Sequence, residues 1–271
     1  MIKTELTDGV YTITVSRPEA LNALSPDIIE QLREVILAIQ ERLGVGTPDS
    51  DAGDTDWGIR GVVITGEGDK SFVAGADIGA MQQMDSATAA EYAELADELT
   101  EWIAELPVPV FAAVNGYALG GGLELAMACD VIYASENAIF GQPEVALGVI
   151  PGFGGCVRLQ RFIGAAGARE LILTGKKINA QEALRRGLVA AVYESPEAVR
   201  QAATDAVKAL SANSPLAIAK AKEVIAKVSL LETHEALAAE RAGFADCFDT
   251  EDQKEGMAAF LAKRKANFTG K

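Results

Sequence analysis

Apolar positions along the chain follow two periods. VYTITVSRP (Val10–Pro18) partly alternates and is β-branched, which predicts a strand ended by Arg17-Pro18. The next segment, LNALSPDIIEQLREVILAIQERL, switches to a helical period. Its stripe is Ile28, Ile29, Leu32, Val35, Ile36 and Ile39, with Ser25 as N-cap and Pro26 as the first helical residue. GVVITG (61–66) and VPVFAAVNG (108–116) are unbroken apolar runs, the pattern of strands buried on both faces. A helix is predicted from about Ala87 to Leu106, another across LELAMACD, and a strand at VIYAS. AIFGQPEVALGVIPGFGG is loop-rich and resumes as helix near Cys156. ARELILTG and NAQEALRRG are two helical pieces, the second capped by Asn179, before a short strand in GLVAAVY. From Pro196 onward the period is helical, with Pro215 as a break or a start. GVGTPDSDAGDTDWG (44–58) has no period and is expected to be an acidic loop or insertion. The expected organisation is an α/β core over residues 1–195 and a helical region over 196–271.

Composition narrows the function. With 271 residues, 49% of them hydrophobic, the chain can bury one substantial core. The net charge of −15 disfavours nucleic acid, which wants a basic face, but leaves room for a local basic patch facing a phosphorylated ligand. Cys129, Cys156 and Cys247 have neither metal spacing nor a disulfide framework. The single histidine, His234, lies in a helical pattern and suits a surface or interface position, so no histidine-rich metal site is expected. The N-terminus lacks the features of a signal peptide, and no run of 18 apolar residues suggests a membrane span. The expectation is a cytoplasmic chain without membrane insertion.

The chemistry concentrates in NGYALGGGLELAMACD (115–130), where three glycines meet an apolar helix carrying one acid, Glu124. The run lacks the dinucleotide fingerprint, as does GFGG at 152–155, and the chain has no phosphate-loop motif. Glycines at a helix start expose N–H groups to a close ligand. Gly121 N–H therefore suits a carbonyl oxygen becoming an enolate, and Ala76 in the glycine-flanked turn AGAD suits the second donor. GQPEVALG supplies a second acid, Glu144, and two carboxylates in one site suit general acid–base work. On these residues alone, each glycine turn equally suits a plain tight turn, and a lone glutamate near a helix start such as Glu124 is more often a cap or solvated. Spacing does not show that the two acids meet.

The segments RPEALNAL (17–24), SFVAGADI (71–78), NGYALGGGLELAMACDVIYAS (115–135), FGQPEVALGVIPGFGG (140–155), LTGKKINAQEALRRGLV (173–189) and FLAKRKANF (260–268) resemble, in order, the enoyl-CoA hydratase/isomerase family, the crotonase superfamily. The resemblance implies a crotonase-like spiral of repeated ββα units with a helical C-terminal trimerisation region. It implies a homotrimer or dimer of trimers acting on an acyl coenzyme A thioester, with no cofactor bound for catalysis and no metal. Carried onto this chain, it implies an oxyanion hole of Ala76 and Gly121, catalytic Glu124 and Glu144, and Gly152 beside the water and β-carbon. Coenzyme A contacts are implied at Ala23, Leu24, Ala74, Asp77 and Ile78, and in the tail at Lys263, Arg264, Lys265 and Phe268. The tail of relatives can reach a neighbouring subunit's ligand. Both glutamates are present, as in the family's hydratases, so the implied reaction is syn addition of water to a trans-2-enoyl-CoA. The alternatives are an enoyl-CoA isomerase, a hydratase of branched, cyclic or aromatic chains, or a silent acyl-CoA-binding or structural partner subunit. Leu123 and Cys156 depart from the Cys and Thr frequent in relatives, which bears on pocket shape. The variable stretch Ile78–Glu98, with Met81 and Met84, is the expected acyl-pocket wall.

Overall fold

The computed structural model describes residues 1–45 and 55–271. Most of the acidic loop expected at 44–58 lies outside the described residues. The chain opens with β1 (Ile2–Thr7) and β2 (Val10–Val15), an antiparallel pair. The pattern reading missed β1, an edge strand exposed along nearly its whole length. Its signal was the pair Asp8-Gly9, both at positive φ (51° and 80°), the two-residue turn that matches strand twist. Helix α1 (Pro26–Arg42) begins as expected: Ser25 Oγ accepts from Ile28 N, and Pro26 opens the first turn.

Three strand–strand–helix units follow. The first comprises β3 (Gly61–Gly66), β4 (Ser71–Val73), the short α2 (Ile78–Met81) and α3 (Ser86–Glu105). The second comprises β5 (Val110–Val114), β6 (Tyr117–Leu119) and α4 (Gly121–Met127). The third comprises β7 (Val131–Ser135), β8 (Ile139–Gly141) and α5 (Gly155–Thr174). Each unit sends its first strand to one sheet and its second to another. The larger sheet has the order β1-β2-β3-β5-β7-β10, parallel from β2 onward, where β10 is Ala191–Tyr193. The smaller sheet has the order β4-β6-β8-β9, where β9 (Lys177–Asn179) precedes α6 (Ala180–Arg185). The three-residue strands β4, β6, β8 and β9 are too short for a period to register, and β8 lies in the stretch expected to be loop-rich. This is the crotonase-like spiral.

Buried amides pin the corners where the chain passes between sheets. Asn115, fully buried, donates to the carbonyls of Gly66, Gly68 and Ser71 and accepts from Gly66 N. Such a group is costly in a core unless its polar atoms are paired, and these are. Helices α1 and α3 pack on the inner side of the larger sheet. Helix α7 (Pro196–Leu210) covers its outer face, setting Val199, Ala203 and Val207 against Val10, Val63, Phe111 and Ala113.

The remaining helices are α8 (Pro215–Val228), α9 (Thr233–Asp246) and α10 (Glu251–Leu261). Lys222 fastens α8 to the core through Asp130 (2.7 Å) and the Val108 carbonyl (3.1 Å). After α10 the chain turns at Lys263 (φ 53°) and folds back along the helix. Arg264 pairs with Glu255, and the N–H groups of Thr269 and Gly270 reach the buried Asp252. No helix among the described residues is long and apolar enough to cross a membrane.

Candidate active site

The two glycine turns and both acids border one cavity of about 330 Å³, lined among others by Ala76, Gly121, Glu124, Glu144 and Gly152. The fold brings them there because the second and third units deliver Glu124 and Glu144 from successive crossings, at the N-terminal ends of the segments that follow β6 and β8. Spacing alone did not decide this convergence.

Ala76 is placed by a parallel bridge to Leu24. Leu24 N donates to the Gly75 carbonyl and Asp77 N donates to the Leu24 carbonyl, both at 2.8 Å. In extended backbone alternate residues face opposite ways, so the Ala76 N–H points away from Leu24. Gly121 is the first residue of α4, where an N–H has no partner in the helix. Both N–H groups thus stand available at the wall of the cavity.

The glycine run has a steric cause. Gly120 takes φ 49° and ψ −125°, outside the range of ordinary residues, and a β-carbon there would lie 2.6 Å from Glu144 Oε1. At Gly122 a β-carbon would run into the Val73 carbonyl. The ring of Phe153 lies over Gly121 and meets Tyr92 edge-on at 5.2 Å.

Glu124 is 1% exposed. Its Oε1 accepts from Phe153 N (2.9 Å) and Gly155 N (2.6 Å), which leaves Oε2 to face a small molecule. Burial pushes its carboxyl up to about 7, the two N–H donors pull it down, and the neighbouring Glu144 charge adds to the rise. Glu144, partly buried, opens a short 3-10 helix, Glu144–Leu147, and burial raises its carboxyl too. Gln142 was not foreseen. It is fully buried, and with its amide nitrogen turned toward Glu144 it donates to both carboxylate oxygens, at 2.8 and 3.1 Å. Its signal was proximity in GQPE: a buried amide two residues from a buried acid.

The coenzyme A expectations divide. Ala74 and Ile78 line the cavity. Leu24 is buried, its N–H is taken by Gly75, and its carbonyl is shared by Asp77 N and the Tyr92 hydroxyl, so its polar groups serve the protein. Ala23 beside it is part-exposed. Asp77 caps α2 through Gly79 N and Ala80 N and pairs with Arg17 at 2.6 Å. Lys263, Lys265 and Phe268 do not line this chain's cavity. Phe268 lies against Gly256 in a separate groove among the C-terminal helices, and Arg264 is committed to Glu255. Cys156 is exposed near both carboxylates; burial, then Glu124 and Glu144, push its thiol up, which disfavours the thiolate a nucleophile needs.

Two carboxyl groups and two turns with N–H groups free of partners, all at one cavity, suit proton transfer next to a carbonyl. The chain belongs to the enoyl-CoA hydratase/isomerase family, whose family model matches residues 5–271. It is 44% identical to the short-chain-enoyl-CoA hydratase of Clostridium acetobutylicum, over 94% of this chain and 92% of that one. It is 41% identical to the crotonyl-CoA hydratase of Syntrophomonas wolfei subsp. wolfei, over 98% and 97%. Among solved structures it is similar to an enoyl-CoA hydratase from Bacillus anthracis, with a TM-score of 0.90, 35% identity, and coverage of 100% of this chain and 99% of that one.

Proposed function

We propose that the chain is a 2-enoyl-CoA hydratase acting on short acyl chains, and that Glu124 and Glu144 share the proton work. The observation that carries this reading is the meeting of both carboxylates with the Ala76 and Gly121 turns at one cavity wall. The thioester oxygen accepts from the two N–H groups. Glu124 takes a proton from water, the hydroxide oxygen bonds to the β-carbon, and the π electrons move to the thioester as an enolate. Glu144 then gives its proton to the α-carbon. The enolate oxygen carries more charge than the starting carbonyl, so the same two N–H groups stabilise it more.

Burial favours the proton on the deeper Glu124, while the Gln142 donors favour Glu144 as carboxylate. That arrangement is ready for the reverse reaction, in which Glu144 takes the α-proton and Glu124 protonates the leaving hydroxyl. Proton exchange through the bound water readies the forward direction. Both directions use the pair carrying one proton.

Assembly as a trimer or dimer of trimers is part of the proposal. Ile225, Leu237, Phe244, Phe260 and Leu261 on α8 to α10 are exposed apolar side chains that such an assembly would cover. Lys263 and Lys265 would then reach a neighbouring subunit's coenzyme A. Three free thiols fit a reducing compartment such as the cytoplasm.

The test is loss of enoyl-thioester absorbance with crotonyl-CoA, beside the Glu124→Ala and Glu144→Ala variants. Turnover in the parent that collapses in both variants is expected. Absence of turnover with crotonyl-CoA and with a panel of longer and branched enoyl-CoA thioesters would overturn the reading.

A further inference from the structure

The loop that holds Glu124 is itself held from behind. Phe153 and Gly155 donate their N–H groups to Glu124 Oε1, and the Phe153 carbonyl accepts from Arg158 Nη1 at 3.0 Å. Arg158 lies one turn into α5, and its guanidinium folds back over Gly154. Gly154 takes φ 92°, and a β-carbon there would run into the guanidinium. Loop, carboxylate and cation therefore form one chain of contacts: Arg158 to Phe153, and Phe153 to Glu124.

The charges around this chain of contacts come from four elements. Asp97 and Glu101 of α3 and Glu124 of α4 act on Arg158, and Arg161 of its own helix opposes it. Glu124 in turn feels Glu144, from the 3-10 helix after β8, and Asp97 from α3. Cys156 of α5 also lies within their field. Asp97 is exposed at its outer edge, and partial desolvation raises its carboxyl while the Arg158 charge lowers it. Nothing in the proton chemistry described above uses Arg158 or Asp97.

We propose that Arg158 is a positioning residue for Glu124, acting through the Phe153 carbonyl and through its own charge, with Asp97 as its opposing partner. This rests on the reading of Glu124 as a catalytic carboxylate. A guanidinium stays charged at every pH of interest, so its field on Glu124 is fixed. The hydrogen bond fixes where Oε1 is anchored, and so where Oε2 points.

The test compares Arg158→Gln, Arg158→Lys and Asp97→Asn in the full chain. Arg158→Gln removes the cation. It is expected to lower kcat roughly ten- to hundredfold through misplacement of the carboxylate. KM for crotonyl-CoA should stay within about threefold, since no substrate contact is lost. Its pH–rate profile should move to higher pH by about half a unit or more, because a lost cation strengthens proton binding at Glu124. Asp97→Asn removes an anion and should move the profile to lower pH. Arg158→Lys keeps the charge without the planar fork, so it should restore the profile position and only part of the rate. Profiles that stay in place, or that move the same way in Arg158→Gln and Asp97→Asn, overturn the proposal. If Arg158→Gln does not fold, Asp97→Asn still tests the field and Arg158→Lys the hydrogen bond: a profile that stays in place in Asp97→Asn, or a parental kcat in Arg158→Lys, overturns the proposal. Carbon-13 titration of the Glu124 carboxyl in a Glu144→Gln background reads the same shifts without turnover. It separates failure of this inference from failure of the hydratase reading.

Discussion

Glu144 Oε1 occupies the space that a side chain on Gly120 would enter, 2.6 Å from where that β-carbon would stand. The glycine is there for the carboxylate as much as for the turn. Gly120→Ala should therefore displace Glu144, whose side chain is flexible enough to move aside. The positive φ adds roughly 1–3 kcal/mol of strain. The expected result is a folded protein whose kcat with crotonyl-CoA falls about a hundredfold. Circular dichroism and steady-state kinetics check it; an Ala variant with parental kcat would sink the steric account.

Two residues along, the same substitution should act differently. A β-carbon on Gly122 meets the Val73 carbonyl, a backbone atom in a buried strand that cannot turn away. Gly122→Ala should cost about 3 kcal/mol or more and lower Tm by roughly 6 °C or more. Any surviving folded fraction should keep much of its activity per molecule. A thermal melt beside active-site titration distinguishes the two glycines. If Gly122→Ala melts with the parent, the close approach is not what the structure indicates.

How far the sequence carried depended on element length. The Ile28-to-Ile39 stripe and its Ser25-Pro26 start were legible because seventeen residues repeat a period and the cap chemistry is local. Strands β6, β8 and β9 were not, because three residues hold no period. Glu124 and Glu144 stood out as acids in apolar or glycine-rich runs, but their meeting is a property of how successive units cross between two sheets. Gln142 and Arg158 escaped notice for a further reason. Each acts on an acid through a contact that only the folded loop creates. The tail residues Lys263 and Lys265 look alike in sequence to Arg264, yet Arg264 is tied to Glu255.

The carboxylate pair should give a pH–rate profile that falls on both sides. Below the maximum, a second proton removes the free carboxylate. Above it, the last proton leaves Glu124, whose carboxyl burial places at about 7. Substrate binding dries the cavity further and favours the protonated form. The alkaline limb of kcat should therefore lie at higher pH than that of kcat/KM. Glu144→Gln should remove one limb along with most of the rate. A flat profile from pH 5 to 10 together with a fully active Glu144→Gln variant would remove the two-carboxylate mechanism.

The same titration makes Glu124 a cost to the fold at alkaline pH. Its folded value of about 7 lies above the ordinary 4.5, so between these values the folded state binds more protons than the unfolded chain. Stability therefore declines as pH rises from 4.5 through 7, and above 7 the full penalty, on the order of 3 kcal/mol, is present. Gln at position 124 keeps an oxygen for the Phe153 and Gly155 N–H groups but never ionises. Glu124→Gln should melt within about 1 °C of the parent at pH 5 and roughly 5–10 °C above it at pH 8.5, while losing activity. Melting curves at the two pH values measure the difference directly. A variant that melts below the parent at pH 8.5 would mean the carboxylate is stabilised by its loop more than burial penalises it. The proton would then rest on Glu144 instead.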